Sequence, residues 1–396
     1  MIFWNLPQRI RIEKPKPDLM HLFLSGVSRR FAVAMLSIFS PIYIYRTFSE
    51  FGLSSSTSLV GVMLYYFLAI FVKLLTLNFS EDLSRKIGFK ATIRASSIPF
   101  FIFIILLIYA SKYPMLFIAA AVLWGLHTGL FWWGYHGYFI KSGERGHFGE
   151  SIGEVGFLET LAVIIAPLAG GIIATFAGFG SLFILAALFM LISLTLLGKD
   201  NDKRQKRDVS FLEVFEAIKK HKSVSLSYIG NGGESIIYLI IWPLFLYFTF
   251  GEVLTLGEIV TAASLLAALF SVGFGRWADK QGERKLVGIG TPLVFISWIL
   301  RFLSRNILGF IVSDGLWNFG ERMVALPLNA LTYKKAFEGG SAKAILFRET
   351  TMIIGCFIAL TLIIAWIFSG GSLVASFILA AFFGAFPVLA IIRKRI

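Results

Sequence analysis

The sequence predicts an all-α polytopic membrane protein: twelve transmembrane helices arranged as two pseudo-symmetric six-helix bundles. Three observations predict it. The chain is 57% hydrophobic and only 15% charged, where a soluble domain carries about 25% charged residues. Apolar runs of about 20 residues, enough to span a bilayer, recur from end to end. The chain also repeats itself. Pro41-Ile-Tyr-Ile-Tyr-Arg-Thr-Phe-Ser-Glu50 returns as Pro243-Leu-Phe-Leu-Tyr-Phe-Thr-Phe-Gly-Glu252, and Phe157-Leu-Glu-Thr160 returns as Phe347-Arg-Glu-Thr350. Two echoes in the same order argue for a duplicated half of about 190–200 residues, and paired halves in a membrane protein point to a transporter with its site between them.

The spans, in order, cover about 26–47, 57–79, 91–110, 114–140, 151–176, 180–198, 223–250, 258–276, 286–304, 307–333, 343–369 and 372–392. Each is continuously apolar rather than alternating, which excludes a β-barrel. The expected organisation is a segment 1–20, a first bundle 21–198, a linker 199–222 and a second bundle 223–396. Within the linker, Lys199 to Asp208 is a solvated charge run. Ser210 and Glu213 form a capping-box pattern. Phe211, Val214, Phe215 and Ile218 then recur at helical spacing, which predicts a short helix on the membrane surface.

Charge sets the expected topology. Lys and Arg concentrate before span one, after spans two, four, six, eight and ten, and after span twelve, whereas the opposite side carries Arg46, Lys112 and Arg305. The positive-inside rule then puts both termini in the cytoplasm of a protein of the cell membrane. The net charge of +14 reads as this topology signal plus attraction to anionic lipid, not as nucleic-acid binding. Met1 to Met20 lacks the apolar core of a cleavable signal peptide. Cys356 is the single cysteine and the five His are scattered, so neither a disulfide within the chain nor a metal site is expected. Nothing resembles a P-loop, HExxH or G-x-S-x-G; the chain is expected not to be an enzyme, to need no cofactor and to act as a monomer.

Ionisable residues inside spans are costly and tend to face the protein interior or a wet cavity. Spans three, six and twelve have none in their cores, and span nine has only Arg301, near its outer end. Every third span is therefore expected to face lipid while the others enclose something polar. Glu159 lies about 12–14 Å along span five at 1.5 Å per residue, and Asp314 lies comparably deep in span ten. Both are expected to line a cavity, with a structural ion pair as the alternative. Asp314, Asn318 and Glu321 share one helical face with Trp317 beside it, and Glu349 repeats Glu159. Arg29, Arg30 and Glu234 sit nearer the inner surface. A gating pair between the halves and simple packing of the Asn231-Gly-Gly-Glu234 glycines are both open. His127 reads as a buried, satisfied histidine or a proton relay. Trp124, Trp132, Trp133 and Tyr135 offer stacking surfaces for a ligand, though packing explains most aromatics in so aromatic a chain.

Two motifs carry a family resemblance. After span eight, Gly275-Arg-Trp-Ala-Asp279-Lys280-Gln-Gly282-Glu-Arg284-Lys285 resembles the cytoplasmic loop motif of the major facilitator superfamily, G-x-x-x-D-R/K-x-G-x-R/K-R/K. Gly275 and Gly282 would permit close packing and a tight turn; the resemblance implies that Asp279 latches one conformation. The first-half counterpart, Glu81-Asp-Leu-Ser-Arg85-Lys-Ile-Gly88-Phe-Lys90, is degraded, with Arg85 where the Asp belongs. In span five, Gly153, Ala162, Ala166, Pro167, Gly170 and Gly171 resemble the antiporter pattern G-x8-G-x3-G-P-x2-G-G, with alanines at two glycine positions. The resemblance implies a secondary transporter working by alternating access. It would move a small organic solute, with proton-coupled antiport or efflux as the favoured form and Glu159, Asp314, Glu234 and Glu349 as coupling candidates. An uncoupled facilitator and a transporter-derived sensor or scaffold are the alternatives.

Overall fold

A computed structural model describes residues 17–142, 148–198, 211–278 and 282–391, and among them the regular structure is entirely helical. The first half contains α1 (Pro17–Glu50), α2 (Ser55–Ile87), α3 (Phe89–Ala95), α4 (Ser97–Ala110), α5 (Leu116–Ser142), α6 (Phe148–Phe176) and α7 (Gly178–Leu196). The linker helix is α8 (Phe211–Lys220). The second half contains α9 (Lys222–Phe250), α10 (Val253–Ala278), α11 (Glu283–Leu303), α12 (Ile307–Gly339), α13 (Ser341–Phe368) and α14 (Ser376–Gly384), the last flanked by 3-10 turns Leu373–Ala375 and Phe386–Ile391.

Twelve crossings result, because two spans are broken rather than added. Span three divides into α3 and α4 where Pro99 lacks an N–H and its ring crowds the carbonyl of Ala95. Span twelve divides into α14 and its flanking turns beside Pro387. The duplicated segments are the last turns of α1 and α9. Just beyond them Gly52 (φ 84°) and Gly251 (φ 76°) take left-handed conformations that favour glycine, and Gly251 N–H donates to Tyr247 O at 2.8 Å.

The packing repeats as the sequence does. In the first bundle α1 packs on α6 and α7, and α5 on α2 and α4; in the second α9 packs on α13 and α14, and α12 on α10 and α11. These are the same span pairings, six spans apart. The seam follows the same pseudo-twofold rule: α6 meets α10, α2 meets α13, and α1 meets α9.

Exposed apolar side chains occur on the spans expected to face lipid, among them Ile98, Ile102 and Ile105 of α4, Ile184 and Leu188 of α7, Leu303 of α11, and Ile378 and Phe382 of α14. They also occur on spans expected to be interior, such as Leu75 and Phe79 of α2, Ile165 of α6 and Leu269 and Phe270 of α10. Arg301 departs from that pattern. It is fully buried, turned inward from the span expected to face lipid, because a carboxylate and four aromatic rings wait for it there.

The linker helix forms, with Val214 fully buried but Phe215 exposed. Ser210 lies outside the described residues, and Glu213 faces Lys343 of α13 at 3.5 Å. Of the loop motif, Asp279 and Lys280 lie outside the described residues and Gly275 sits on α10. Gly282 has an ordinary φ of −67° and open space around its Cα, so its own conformation does not require a glycine. Arg284 is exposed on the first turn of α11.

Candidate functional site: a cavity between the bundles

A cavity of about 340 Å³ lies on the pseudo-twofold seam. The first bundle contributes α1, α5 and α6; the second contributes α9, α10 and α12. At 3.6 residues per turn, α1 presents Gly26, Arg29, Arg30, Val33 and Ser37 along one face. Helix α5 adds Trp124, Thr128, Phe131, Trp132 and Tyr135, and the facing wall holds Tyr238, Ser264, Trp317 and Asn318. The Arg29 guanidinium lies 3.1 Å from the centre of the Phe131 ring, a cation–π contact that holds it against the wall. Arg30 is half-buried beside it.

Small residues bring the bundles together at this seam. A Cβ on Gly257 of α10 would stand 2.5 Å from Pro167 O of α6, and one on Gly171 would stand 3.4 Å from Leu254 O. Thr261 donates to Ile164 O at 3.0 Å across the same line. Gly170 faces the first bundle instead, against Phe39. The Pro–Gly pattern of span five thus lies where two helix backbones approach, one from each bundle. Gly153 lies on α6; the side chain of Glu159, on the same helix, is outside the described residues. At the end of α1 distant from the chain terminus, Tyr45 meets Phe248 of α9, ring centres 4.8 Å apart.

Behind the cavity wall stands Glu234, only 1% exposed. Its Oε1 accepts from Trp317 Nε1 at 2.5 Å and from Trp298 Nε1 at 2.6 Å, while Oε2 has no hydrogen-bond partner among the described residues. Trp317 itself stacks on Tyr238, ring centres 3.5 Å apart and planes 10° from parallel. One indole therefore touches the cavity with its ring and the buried acid with its N–H. Glu321 accepts from Asn231 at 3.1 Å.

Glu234 does not pair with Arg29 or Arg30, as a gate between halves would require; its partners come from α11 and α12 of its own bundle. The glycines beside it serve packing. A Cβ on Gly232 would clash with Met352 O of α13, and one on Gly355 would clash with Ile229 O, so α9 and α13 touch backbone to backbone.

Asp314 takes the alternative left open for it, a structural ion pair. It does not line the cavity; it is fully buried in an ion pair with Arg301. Arg301 is boxed by Trp298, Trp242, Tyr238 and Trp317 at 4.2–5.5 Å. The helical face expected to carry Asp314, Asn318 and Glu321 together is divided: Asp314 turns to Arg301, Asn318 to the cavity and Glu321 to Asn231. Helix position fixes direction only to within a sector, and Arg301 captures the nearest acid.

His127 is fully buried and bonds through Nδ1 to Ser96 O at 2.8 Å, where α3 meets α4. Phe100, Trp124 and Phe131 surround its ring. It braces the break in span three, away from the cavity wall. Trp133 likewise turns away, donating to Ser84 Oγ at 2.8 Å.

Glu349 organises the other polar centre. Its Oε2 lies 2.6 Å from Lys73 Nζ of α2, and its Oε1 pairs with Arg348 and lies 3.6 Å from His136 Nε2 of α5. Arg348 Nη1 approaches the same His136 nitrogen at 3.3 Å and its Nε donates to Asn329 at 3.2 Å. This cluster crosses the seam. Lys73, His136 and Glu349 are scattered intramembrane ionisable residues in the sequence, and nothing in their spacing shows that they meet. Tyr238 was overlooked, although its place four residues after Glu234 puts both on one face of α9.

Comparison with known proteins fits this architecture. The model described as Major Facilitator Superfamily matches residues 22–224. No curated protein matches the chain. Among solved structures, the chain is similar to an auto-inhibited POT-family peptide transporter, with a TM-score of 0.66 and 11% identity over 95% of this chain and 96% of that one. It is also similar to the POT-family transporter PepTSo, solved in meso, with a TM-score of 0.71 and 10% identity over 94% and 96% of the respective chains. At such identities the likeness is one of fold.

Proposed function

Because this chain belongs to the major facilitator superfamily, a multi-pass transporter fold, we propose that it moves a small organic solute through the seam cavity by rocking its two bundles, and that Glu234 links this movement to protons. The observation that carries the reading is the shared indole: Trp317 lines the cavity and donates to a buried carboxyl with no ion-pair partner among the described residues. A buried carboxylate without a cation is costly, and binding a proton removes that cost. A solute that shifts Trp317 strips Glu234 of one donor, so cavity occupancy and the protonation of Glu234 are coupled through one hydrogen bond. Glu321 is a second acid in reach of the same face. The buried Asp314 and Glu349 each have a cation and serve better as fixed charges.

The Pro–Gly pattern on α6 supports exchange of solute against protons, whereas loss of the Trp317 donor favours protonation of Glu234 and so supports solute and proton moving together; the sign of the pH change separates the two. The basic loops support placing both termini in the cytoplasm of a cell-membrane protein. The test measures solute counterflow, and net solute flux in pyranine-loaded proteoliposomes, with a panel of organic acids, amines, sugars and dipeptides. Net flux with a lumenal pH change in wild type, the pH change lost in Glu234→Gln while counterflow persists, is the expected result, and the sign of the change separates symport from antiport. Net flux without a pH change leaves an uncoupled facilitator. Saturable binding without counterflow leaves a sensor.

A further inference from the structure

Five buried residues of the second bundle stand in one line of contact. Asp314 pairs with Arg301, and the Arg301 guanidinium lies 4.2 and 5.5 Å from the ring centres of Trp298 and Trp317. Both indoles in turn donate Nε1–H to Glu234. Two carboxyls thus share the surroundings of one guanidinium, Asp314 in direct contact and Glu234 across an indole. In a low-dielectric interior an uncompensated charge is strongly unfavourable, and one guanidinium balances one carboxylate. We propose that Asp314, by occupying Arg301, leaves Glu234 free to bind and release a proton. Asp314 is then a positioning residue, and the role rests on the coupling reading above.

The pair is built so that Arg301 can serve either acid. Asp314 engages Nη2 alone. Arg301 Nε and Nη1, Asp314 Oδ2 and Glu234 Oε2 have no hydrogen-bond partner among the described residues, although a guanidinium offers several N–H donors at once. With Asp314 gone, the buried cation needs another anion, and Glu234 becomes one by giving its proton to solvent. One negative charge is lost and one gained, so the interior stays neutral. The other charged groups around Glu234 are placed differently. Glu321 of α12 accepts from Asn231 and brings no positive charge. Arg348 and Glu349 of α13 pair with each other, and Glu258 of α10 is exposed. Arg29 and Arg30 of α1 lie on the cavity wall, and Arg322 of α12 is near enough to Arg30 to feel its charge. Residues 376–391 carry no ionisable side chain.

Infrared spectroscopy of the purified full-length protein reads the proton itself. A protonated carboxyl has a carbonyl stretch that a carboxylate lacks, and the Glu234 band is assigned by its absence in Glu234→Gln. Titrated between about pH 5 and about pH 9, a range that spans ordinary and buried carboxyls, wild type is expected to show this band. Above the wild-type midpoint, Asp314→Asn is expected to lower it about tenfold or more. The double variant Asp314→Asn/Arg301→Gln should regain the band, and Asp314→Glu, which keeps the counter-charge, should retain it. A purely structural ion pair would leave the band alone, so an unchanged band in Asp314→Asn overturns the proposal. No Glu234 band in wild type, or its loss in Asp314→Glu, overturns it as well. Asp314→Asn that unfolds where the double variant folds also counts against it, because Glu234 has then not taken over the cation; where neither folds, Asp314→Glu decides. The two readings fail separately. A band that follows Asp314 without a pH change during net solute flux removes the coupling and keeps the role of Asp314, whereas a pH change with a band indifferent to Asp314 does the reverse.

Discussion

Glu349 and Glu234 are the same residue type, each 1% exposed, and one repeat half places each near the bundle seam, yet their surroundings are opposite. Glu349 is ringed by Lys73, Arg348 and His136, and two of those three come from the other bundle. Glu234 touches no cation among the described residues; its partners are two indoles of its own bundle. Burial alone therefore says little about what an intramembrane acid does. The charge of Glu349 is compensated across the seam, so moving the bundles apart at this end must separate it from Lys73. The surroundings of Glu234 travel with their bundle, and what reaches them is a change at Trp317. On the reading proposed above, one acid feels bundle movement and the other feels the ligand.

The largest effect that would break this comparison is expected at Glu349. Glu349→Gln leaves Lys73 and Arg348 without their shared anion. Breaking a buried ion pair costs roughly 3–5 kcal/mol, and the lower end applies because Lys73 is 19% exposed and can reach towards water. Thermal unfolding of the purified protein should show a clear drop in Tm, with a smaller one for Lys73→Met because Arg348 still serves Glu349. Equal stability in Glu349→Gln and wild type would remove the seam cluster as a structural tie.

Next in size is Trp317→Phe. The ring still stacks on Tyr238, but Glu234 keeps only Trp298 as donor. Leaving a buried acceptor short of a partner costs about 1–3 kcal/mol, read by the same unfolding assay. The same variant should abolish the lumenal pH change that accompanies net solute flux while leaving counterflow measurable. Intact coupling in Trp317→Phe would show that Glu234 does not sense the cavity through this indole.

How much of this could be read from the sequence differs between fold and site. Long apolar runs, the recurring Pro41 and Pro243 segments and the basic loops made the two-bundle architecture legible, because crossing a bilayer constrains every residue of a span. The Gly–Pro pattern of span five pointed to a close approach, and Gly171 and Pro167 do lie against α10. Partner choice was not legible. Arg301 looked like an interfacial residue of a lipid-facing span because its depth is readable but its direction depends on how α11 rotates against α12. Asp314 looked like cavity lining until that arginine claimed it. Lys73 and His136 meet Glu349 only because α2 and α5 come to lie beside α13, a contact between residues more than two hundred positions apart that no local periodicity encodes. Glycines at 232 and 233 left a gate and simple packing both open, and packing is what they serve; a missing side chain has both meanings until the neighbour is known.

The smallest expected effect on stability, and the sharpest on mechanism, comes from Glu234→Gln. The amide oxygen can accept the same two indole N–H bonds at 2.5 and 2.6 Å, and the amide carries no charge to desolvate. Stability should therefore stay within about 1 kcal/mol of wild type, the worth of an ordinary hydrogen bond. The identical chemical change at Glu349 is expected to cost several times more, because there the negative charge itself does the holding. Glu234→Gln cannot take up or release a proton, so counterflow should persist while pH-driven movement of solute is lost. Measuring Tm and both transport modes for the two Glu→Gln variants side by side tests the contrast directly. A large loss of stability at Glu234 would mean that its carboxylate is held charged, by Arg301 acting through the aromatic box, and the division of labour between the two acids would fall.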